Sequence, residues 1–594
     1  MELAAVGNCT VASLVDDRAR HVWFCFPRLD GDPLFNALVN GNEPRAGFMD
    51  VDVVRFKSSR QSYIRNTAVL ETIIADEGGN SIRVLDFAPR FKLHGRLFRP
   101  PIIVRRIEPA AGRCRLTVRV RPTFEYGASS PNITFGSHHL RFSSGAGSVR
   151  LTTDLPVAYV REEVSFLIDQ PVHFFFGSDE VLSGRPDKLA REYLEETIVY
   201  WNDWVRDLAV PFDWQEAVIR AAITLKLCSF EDTGAILAAL TTSLPEAPGS
   251  QRNWDYRFCW LRDSFFTVYS LNRLGATQTM ENYITYLIDC VLSTETDYLA
   301  PLFPVVPGTS VDEHNAPALQ GYRGMGPVRV GNAAFIQRQN DIYGSVVLAA
   351  AQMFWDSRLP RPGDASLYHR LKYLGRIAAS VALEPDAGIW EYRGITRVHT
   401  FSAMMCWAAL QRLGHVANKV GEEGDGRQWL GHAARLREEI IRRAWNEERG
   451  YFAGSLGGAE LDAALLLMPE IGIIGYRDER FLQTLSAIEG HLMRGGLMMR
   501  YADPDDFGMP ESAFLVCSFW YIDALVNVGR RDEALALFER ILSLRNHVGL
   551  LSEDIAAETG ELWGNFPQTY SHVGLIHSAM KLSRSWEEGL WRVS

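Results

Sequence analysis

The stretch from Arg252 to Ser264, "RNWDYRFCWLRDS", brings aromatic and charged side chains together. It is too charged for a core strand and too aromatic for a solvated loop. Arg262 and Asp263 can each hydrogen-bond two neighbouring hydroxyl groups. Tyr256 and Trp260, four residues apart, offer flat faces to the apolar side of a pyranose ring. The stretch therefore predicts a site for a hydroxyl-rich, uncharged ligand such as a sugar, although Asp263 could instead cap a helix that starts here.

A second candidate is Glu391 in "DAGIWEYRG", where it stands beside Trp390 between two glycine-bounded turns. Burial against an aromatic wall favours the protonated form of a carboxyl group, and a general acid needs that form. The alternative is a loop glutamate that pairs with Arg393. The first interpretation predicts a proton donor, and the second predicts only an ion pair.

A third candidate is Glu553, in the segment "GLLSEDIAAETGELWGNFPQTYSHVGLI". This segment is too polar and irregular for a helix until about Tyr570. Glu553 follows the apolar "VGLLS", which should bring it in from the surface, whereas we expect Glu558 and Glu561 to be solvated. Two carboxylates on separate loops, near a sugar-binding stretch, fit the general acid and general base of a glycosidase.

Other catalytic patterns are weak in this sequence. It contains no phosphate-binding loop of the G-x-x-x-x-G-K-[ST] type, no H-E-x-x-H and no G-x-S-x-G. The histidines are dispersed, and His399 and His572 near the candidate loops suit structural or substrate-contacting roles better than metal binding. We therefore expect neither a metal nor a cofactor.

Composition narrows the partners of this 594-residue chain of net charge −11. Phosphate binding needs clustered Lys and Arg, so we expect no nucleic acid partner. The sequence predicts no membrane span and no signal peptide. Eight scattered cysteines without a C-x-x-C pair indicate buried, reduced thiols in a cytoplasmic protein. The sequence leaves a homo-oligomer open.

Two patterns of hydrophobicity divide the chain. Residues 1 to about 200 contain short alternating apolar runs between turn residues, which is typical of an antiparallel β-sandwich. A helical period in "DKLAREYLEETIVYWNDWVRDL" predicts the segment that joins the two parts. We therefore predict a β-sandwich domain at 1–184, a helical linker at 185–214 and a catalytic domain at 215–594.

The period of the C-terminal part is 3.6 almost throughout, and about twelve helical stretches are predicted. They begin near Gln215, Asp263, Thr277, Asn340, Ala365, Thr400, Gly426, Glu460, Arg480, Glu511, Asp532 and Tyr570. Six antiparallel helix pairs closed into a ring, an (α/α)6 barrel, would surround one pocket with loops. A solenoid or an irregular helical domain is the alternative.

These motifs together resemble glycoside hydrolase family 15, and the likeness covers nearly the whole chain. The segments that carry it, besides the stretch at Arg252, are "HVWFCFPRLDGDPLFNALV", "GYRGMGPVRVGNAA", "GIWEYRG", "MMCWAAL", "AFLVCSFWYIDAL" and "GNFPQTYSHVGLI", in the family's order. The resemblance implies an N-terminal β-sandwich, a C-terminal (α/α)6 barrel and inverting hydrolysis of an α-glucosidic bond. It implies no covalent intermediate and no metal in the chemistry.

The resemblance also implies roles for single residues. Glu391 matches the general acid and Glu553 the general base that activates water, so their carboxyl groups should stand roughly 6.5–9.5 Å apart. The predicted substrate-binding residues either match sugar-contacting positions of the family or stand next to Glu391. They are Tyr256, Trp260, Arg262, Asp263, Trp390, Tyr392, Arg393 and Tyr570. Tyr392 departs from fungal glucoamylases, which have a second carboxylate there that contacts the leaving sugar. The resemblance therefore leaves the leaving group open.

Several functions remain open at this point. The leading prediction is hydrolysis of a small α-glucoside, α,α-trehalose, because members of the family that are not exported include trehalases. A glucoamylase-like or isomaltose-type exo-α-glucosidase is the first alternative. A disaccharide phosphorylase is the second, although it needs only one catalytic carboxylate and Glu553 argues against it. The third is a carbohydrate-binding protein without catalysis.

Overall fold

The computed structural model describes residues 1–292 and 298–591. Most strands of its N-terminal part form two antiparallel sheets. Outside them are a hairpin of Phe91–Leu93 with Arg96–Phe98 and the strand Asn40–Gly41, which pairs in parallel with Gly321–Tyr322. In chain order the strands of the two sheets are β1 (Leu3–Gly7), β2 (Ala12–Asp16), β3 (His21–Phe26), β4 (Asp32–Phe35), β5 (Phe48–Val53), β6 (Phe56–Tyr63), β7 (Leu70–Asp76), β8 (Ser81–Phe87), β9 (Ile102–Ala111), β10 (Arg115–Arg121), β11 (Asn132–Phe135), β12 (His139–Ser144), β13 (Gly147–Thr153), β14 (Phe166–Leu167) and β15 (Val172–Gly177). One sheet has the order β1-β2-β3-β5-β10-β14, with β4 beside β3, and the other has the order β11-β12-β13-β15-β9-β8-β7-β6.

The two sheets pack face to face around an apolar core. Alternate residues of β7 and β10 are buried, as expected for strands that cover a core with one face. Phe35 of the first sheet stacks on Phe176 of the second, with ring centroids 4.8 Å apart. The predicted antiparallel β-sandwich is confirmed.

Two helices accompany the sandwich. Helix α1 (Val157–Arg161) is one short turn, and α2 (Pro186–Arg206) is the helix that the sequence predicts between the two parts. Leu189 and Leu194 of α2 pack on the outer face of the second sheet. The linking segment is therefore part of the folded structure, and the limits of the three domains stay a prediction.

The C-terminal part is helical, as predicted. Its helices are α3 (Gln215–Leu227), α4 (Ser264–Arg273), α5 (Thr277–Leu292), α6 (Asp341–Trp355), α7 (Ala365–Val381), α8 (Thr400–Lys419), α9 (Glu423–Ala444), a 3₁₀ turn (Ala463–Leu467) that runs into α10 (Met468–Ile471), α11 (Glu479–Leu492), α12 (Leu515–Asn527), α13 (Arg531–Ser543) and α14 (Thr569–Leu582). All of these segments start within four residues of the predicted positions.

The helices form a closed ring of inner and outer members. Going round the inner ring, α4 contacts α6, α6 contacts α8, α8 contacts α10 with its 3₁₀ turn, that pair contacts α12, α12 contacts α14, and α14 returns to α4. Nearly all residues of α6 are buried, whereas α7 outside it buries one face only, through Tyr368, Leu371, Leu374 and Ala378. This arrangement is the (α/α)6 barrel that the sequence predicts.

A glycine permits one close helix contact in the inner ring. A Cβ atom at Gly344 of α6 would stand 2.2 Å from the carbonyl oxygen of Met405 on α8. Real side chains do not tolerate such a distance, so the backbones of α6 and α8 approach this closely only because residue 344 is glycine.

Residues of the sandwich form buried hydrogen bonds with the stretch Arg252–Ser264 and with the segment before it. Arg257 is buried and donates hydrogen bonds to the carbonyl oxygen of Gly31 at 2.9 Å and to the hydroxyl of Tyr126 at 2.9 Å, while Asp255 pairs with it at 2.7 Å. Trp23 donates its indole N–H to the carbonyl oxygen of Leu240 at 2.7 Å. These buried contacts join the two parts of the chain beside the candidate site.

Two further predictions concern cysteines and membranes. All eight cysteines are buried free thiols, as predicted. Within the described part of the chain, no helix combines the length and the apolar character that crossing a membrane requires.

Candidate active site

One pocket lies where loops lead into the N-terminal ends of the inner helices. Its walls come from the loops before α4, α6, α8, α12 and α14. The structure brings all of the predicted site residues to this pocket, namely Tyr256, Trp260, Arg262, Asp263, Trp390, Glu391, Tyr392, Arg393, Glu553 and Tyr570. Residues that are up to about three hundred positions apart in sequence therefore meet because the helical ring closes.

Glu391 is held by one of its two carboxylate oxygens. Oε1 accepts hydrogen bonds from the indole N–H of Trp260 at 2.6 Å, from Arg262 at 2.6 Å and from Gln339 at 3.3 Å. Oε2 makes no hydrogen bond to the described residues, and the side chain is 21% exposed. The donors fix the direction of the carboxyl group and leave Oε2 available to a ligand in the pocket.

Two ion pairs show which arginine is the partner of Glu391. The buried guanidinium of Arg262 contacts Glu391 at 2.6 Å and Asp341 at 3.4 Å. Arg393 instead pairs with Glu313, through bonds of 3.0 and 2.7 Å. The structure therefore does not contain the ion pair between Glu391 and Arg393 that was the alternative.

Glu553 is almost completely buried, with 1% of its surface exposed. Its Oε1 accepts a hydrogen bond from the hydroxyl of Tyr256 at 2.6 Å, and its Oε2 accepts one from the backbone N–H of Asn565 at 3.2 Å. Burial, and after it the negative charge of Glu246, raise the pKa of Glu553 above its usual range, while the bond from Tyr256 and the charge of Arg500 act in the opposite direction. A carboxylate in this setting takes up a proton readily.

Two more carboxyl groups adjoin Glu553. Oxygen atoms of Glu246, Glu553 and Asp554 lie within 4.8 Å of one another. Glu246 is paired with Arg500 and accepts the indole N–H of Trp254 at 3.0 Å. Burial and the charge of Glu553 raise the pKa of Asp554, whose buried Oδ2 has no hydrogen-bond partner among the described residues. An unpaired buried carboxylate is costly, which favours the protonated form of Asp554.

Asp263 occupies the N-cap position of α4, but its side chain makes no capping hydrogen bond. It lines the pocket, and burial raises its pKa to about 7. The capping interpretation therefore has no hydrogen bond to support it. The hydroxyl of Tyr570 also lines the pocket, is buried and lacks a partner among the described residues, so both groups have hydrogen-bonding capacity left for a ligand.

The aromatic residues that flank Glu391 are anchored from outside the pocket. Trp390 donates its indole N–H to Asp462 at 2.8 Å, and burial raises the pKa of Asp462 to about 7. Tyr392 stacks on His399 with ring centroids 5.7 Å apart and lies 5.5 Å from the ring of Tyr501. These contacts make His399 a support for Tyr392.

The remaining residues singled out in the sequence lie away from the pocket. His572 is buried, and its Nδ1 lies 2.6 Å from the carbonyl oxygen of Gln568. Glu558 is exposed, and Glu561 pairs with Arg323 at 2.8 Å near the surface, so both are solvated as expected. None of these residues lines the pocket.

Part of the pocket wall consists of residues that were not predicted from the sequence. The additional charged and aromatic residues that line the pocket include Glu246, Arg252, Trp254, Arg500, Asp505, Asp506, Phe507 and Trp520. Arg252 and Trp254 stand within the quoted stretch, so a signal for them existed. Asp505, Asp506 and Phe507 lie on a loop between helices, where nothing in the local sequence indicates which way a side chain points.

A closed helical ring whose pocket places two carboxylates among aromatic rings and guanidinium groups defines a carbohydrate-active enzyme. The model for glycosyl hydrolases family 15 matches residues 213–580, and the model for a trehalase-like N-terminal region matches residues 2–160. The chain belongs to glycosyl hydrolase family 15, and it is a glycoside hydrolase of the inverting kind found in that family.

Two trehalases are similar to this chain over nearly its whole length, which supports the assignment to the family. A trehalase from Thermoplasma volcanium is 30% identical over 98% of this chain and 93% of its own length. A trehalase from Mycobacterium tuberculosis is 31% identical over 99% of this chain and 90% of its own length. Both similarities cover the sandwich as well as the barrel.

A solved structure shows the same fold. A bacterial glucoamylase in complex with acarbose superposes with a TM-score of 0.69 over 97% of this chain and 93% of that protein, at 13% sequence identity. At this identity the likeness concerns the fold alone, namely a sheet-rich N-terminal part followed by a helical part.

Proposed function

We propose that this protein hydrolyses α,α-trehalose with inversion of configuration, with Glu391 as general acid and Glu553 as general base. The main evidence for this mechanism is that one pocket contains both carboxyl groups. Each of them is oriented by a short hydrogen bond from the same stretch of chain. Tyr256 holds Glu553 and Trp260 holds Glu391, each at 2.6 Å. Two oriented carboxyl groups from separate loops are what acid–base cleavage of a glycosidic bond requires.

Glu391 acts on the leaving group. Protonated at Oε2, it gives its proton to the glycosidic oxygen as the bond from that oxygen to the anomeric carbon breaks. The carboxylate left behind is stabilised by Arg262 and Trp260, which already donate to Oε1. The same two donors prevent the carboxyl group from rotating away from the bond that breaks.

Glu553 acts on water. A water molecule attacks the anomeric carbon from the face opposite the leaving group, and its proton passes to Glu553. Because Glu553 is buried, it has few water molecules to solvate its charge and is a stronger base than a surface glutamate. Attack from the opposite face inverts the configuration, so an α-glucoside yields β-glucose.

The glucosyl unit that is cleaved binds between these groups. Asp263, Arg262 and the hydroxyl of Tyr570 provide polar contacts for its hydroxyl groups, since Asp263 and Tyr570 have unused hydrogen-bonding capacity. Trp520 and Trp390 line the same pocket and offer apolar faces to the sugar ring. This mixture of groups suits an uncharged sugar.

The choice of trehalose rests on relatives. Proteins named trehalase are about 30% identical to this chain over nearly its whole length, so the sandwich, the barrel and the loops are all represented in the likeness. The outer wall of the pocket contains Trp254, Arg393 and Phe507, which would contact the leaving sugar. A glucoamylase-like action on maltose is the alternative that the resemblance in fold leaves in place.

The experiment that tests the function compares substrates. Purified enzyme is incubated with trehalose, maltose and isomaltose, each with and without inorganic phosphate, and released glucose is measured. We expect phosphate to leave the products unchanged and trehalose to give the highest kcat/KM. Turnover of maltose alone would make the protein a glucoamylase-type enzyme, and release of glucose 1-phosphate would make it a phosphorylase.

A further inference from the structure

We propose that Asp506 is a positioning residue for Glu391, because it fixes the backbone turn that presents the acid to the glycosidic oxygen. The inference rests on the proposed function in one respect, since it takes Glu391 as the general acid. Asp506 lies on the loop before α12, more than a hundred residues from Glu391 in sequence. It belongs to none of the quoted motifs, and its hydrogen bonds go to the backbone two and three residues after Glu391 rather than to Glu391 itself.

The contact is a clamp on two backbone N–H groups. Oδ2 of Asp506 accepts hydrogen bonds from the backbone N–H of Arg393 at 2.7 Å and from that of Gly394 at 3.0 Å. These two groups follow directly after Glu391 and Tyr392. A carboxylate that accepts from two successive N–H groups fixes both peptide planes and hence the direction of the turn.

The turn at Glu391 requires such support. Glu391 has a φ of 60°, in the left-handed region that residues other than glycine rarely adopt. A conformation of this kind persists only where its surroundings hold it. On the inner side, Gln337 donates to the carbonyl oxygen of Glu391 at 3.2 Å, and the N–H of Tyr392 bonds to Ala387 at 3.1 Å. Asp506 supplies the support on the outer side.

Gly394 has no side chain, and this leaves room for the carboxylate of Asp506. A Cβ atom at position 394 would stand 2.5 Å from Oδ1 of Asp506. The carboxylate therefore occupies space that any other residue at 394 would fill with its side chain. A side chain at 394 would have to displace the carboxylate of Asp506 from its place over the two N–H groups.

The loop that carries Asp506 is itself anchored to the stretch that holds the acid. Arg252 donates to both carboxylate oxygens of Asp505, at 2.6 and 2.5 Å, and to the carbonyl oxygen of Gly508 at 2.9 Å. The ring of Phe507 packs against Trp254, with centroids 5.2 Å apart. Asp506 thus connects the turn of Glu391 to the same segment that supplies the donors to its carboxyl group.

Loss of the clamp should harm proton donation more than any other step. A turn that relaxes moves the carboxyl group of Glu391 relative to the glycosidic oxygen, and a displacement of about 1 Å can cost roughly 10²-fold in rate. Sugar leaving groups need the proton. Fluoride leaves as a stable anion, so α-glucosyl fluoride needs the acid far less, while it uses the same water, the same base and the same glucose contacts.

The test measures kcat/KM on trehalose and on α-glucosyl fluoride for wild type, Asp506→Ala, Asp506→Asn and Asp503→Ala. Asp503 is the matched control, since it is exposed on the same loop and makes no hydrogen bond or ion pair among the described residues. We expect Asp506→Ala to lose about ten- to a hundredfold on trehalose and at most about threefold on the fluoride. Asp506→Asn keeps an acceptor oxygen and should recover part of the loss, and Asp503→Ala should match wild type on both substrates.

Glu391→Gln serves as the reference for loss of the acid. Suppose that Glu391→Gln keeps its kcat/KM on the fluoride, while Asp506→Ala lowers kcat/KM equally on both substrates. The positioning role is then wrong, and Asp506 is merely structural. If Glu391→Gln itself lowers kcat/KM equally on trehalose and on the fluoride, the assignment of Glu391 as general acid fails, and the inference fails with it. Thermal unfolding of each variant identifies a folding defect, and should Asp506→Ala unfold, Asp506→Ser replaces it in the same comparison.

Discussion

Tyr256 and Trp260 lie four residues apart, and their rings stand with centroids 5.1 Å from each other. The hydroxyl of Tyr256 donates to Glu553 and the indole N–H of Trp260 donates to Glu391, each at 2.6 Å. One short stretch therefore orients the two carboxyl groups that the proposed mechanism uses.

Removal of either carboxyl group should abolish most turnover and leave the fold intact. Glu391→Gln and Glu553→Gln keep the shape of the side chain and remove the acid or the base, whose contributions are typically about 10²–10⁴-fold. Steady-state rates on trehalose, together with circular dichroism, test this. A variant that kept a rate near wild type would contradict the role assigned to that residue.

Tyr256→Phe should move the acidic limb of the pH profile of kcat/KM to higher pH. Glu553 acts as a base when ionised, so kcat/KM rises as pH rises through its pKa in the free enzyme. Its hydrogen bond from Tyr256 lowers that pKa, and the loss of a bond to a charged group, about 1.5 kcal/mol, shifts it upward by about one unit. A limb that stayed in place would show that another group controls it.

Glu246→Gln should move the same limb in the opposite direction. The charge of Glu246 raises the pKa of Glu553, so a neutral residue there lets Glu553 ionise at lower pH. The titratable Asp554, for which burial favours the neutral form, also faces Glu553, as does the charged Arg500. Arg500 loses its partner Glu246 in this variant and then acts on Glu553 more strongly. The solvated Glu561→Gln is the control and should leave the limb unmoved. A shift of Glu246→Gln to higher pH would contradict this electrostatic account.

Asp263→Asn should weaken glucose binding without lowering thermal stability by much. The side chain makes no capping bond at α4, so its replacement removes a ligand contact and little else. We expect the inhibition constant for glucose to rise about tenfold, as loss of a charged hydrogen bond predicts. A large fall in Tm with an unchanged inhibition constant would instead identify Asp263 as a helix cap.

Gly344→Ala should destabilise the barrel. Its new Cβ would meet the carbonyl oxygen of Met405 at 2.2 Å, and relief of such overpacking typically costs about 1–3 kcal/mol. Gly490→Ala in α11 is the matched control, because nothing lies within 4 Å of its Cβ and alanine favours helix by up to about 1 kcal/mol. Urea unfolding curves compare the two. Equal stability of both variants would show that α6 and α8 can separate without cost.

Much of the fold could be predicted from the sequence, because hydrophobic period reports which faces of strands and helices are buried. The alternation along Leu70–Asp76 and the one-sided pattern of Ala365–Val381 both match the structure. Inner helices such as Asp341–Trp355 are buried all round, so for them the hydrophobic period does not show which face points to the centre of the ring. Which helices neighbour each other depends on long-range packing and could not be predicted from local pattern.

The residues of the candidate site, too, could be predicted from the sequence only in part. Glu391 and Glu553 stand in distinctive local sequences, so they could be proposed without a structure. Glu246 and Asp506 could not, because their importance arises from contacts with Arg500 and with the backbone of Arg393, each more than a hundred residues away. Charge and loop composition indicate that such residues are polar, but only the closed ring brings them to the pocket.

The most direct test of the central claim is proton NMR of the first products formed from trehalose. Inversion at one anomeric carbon, with the other sugar released unchanged, predicts that β-glucose and α-glucose appear in equal amounts before mutarotation mixes them. The experiment uses the purified enzyme in phosphate-free buffer at short times. Exclusive early α-glucose would mean retention and would contradict the roles of Glu391 and Glu553 as acid and base in a single displacement.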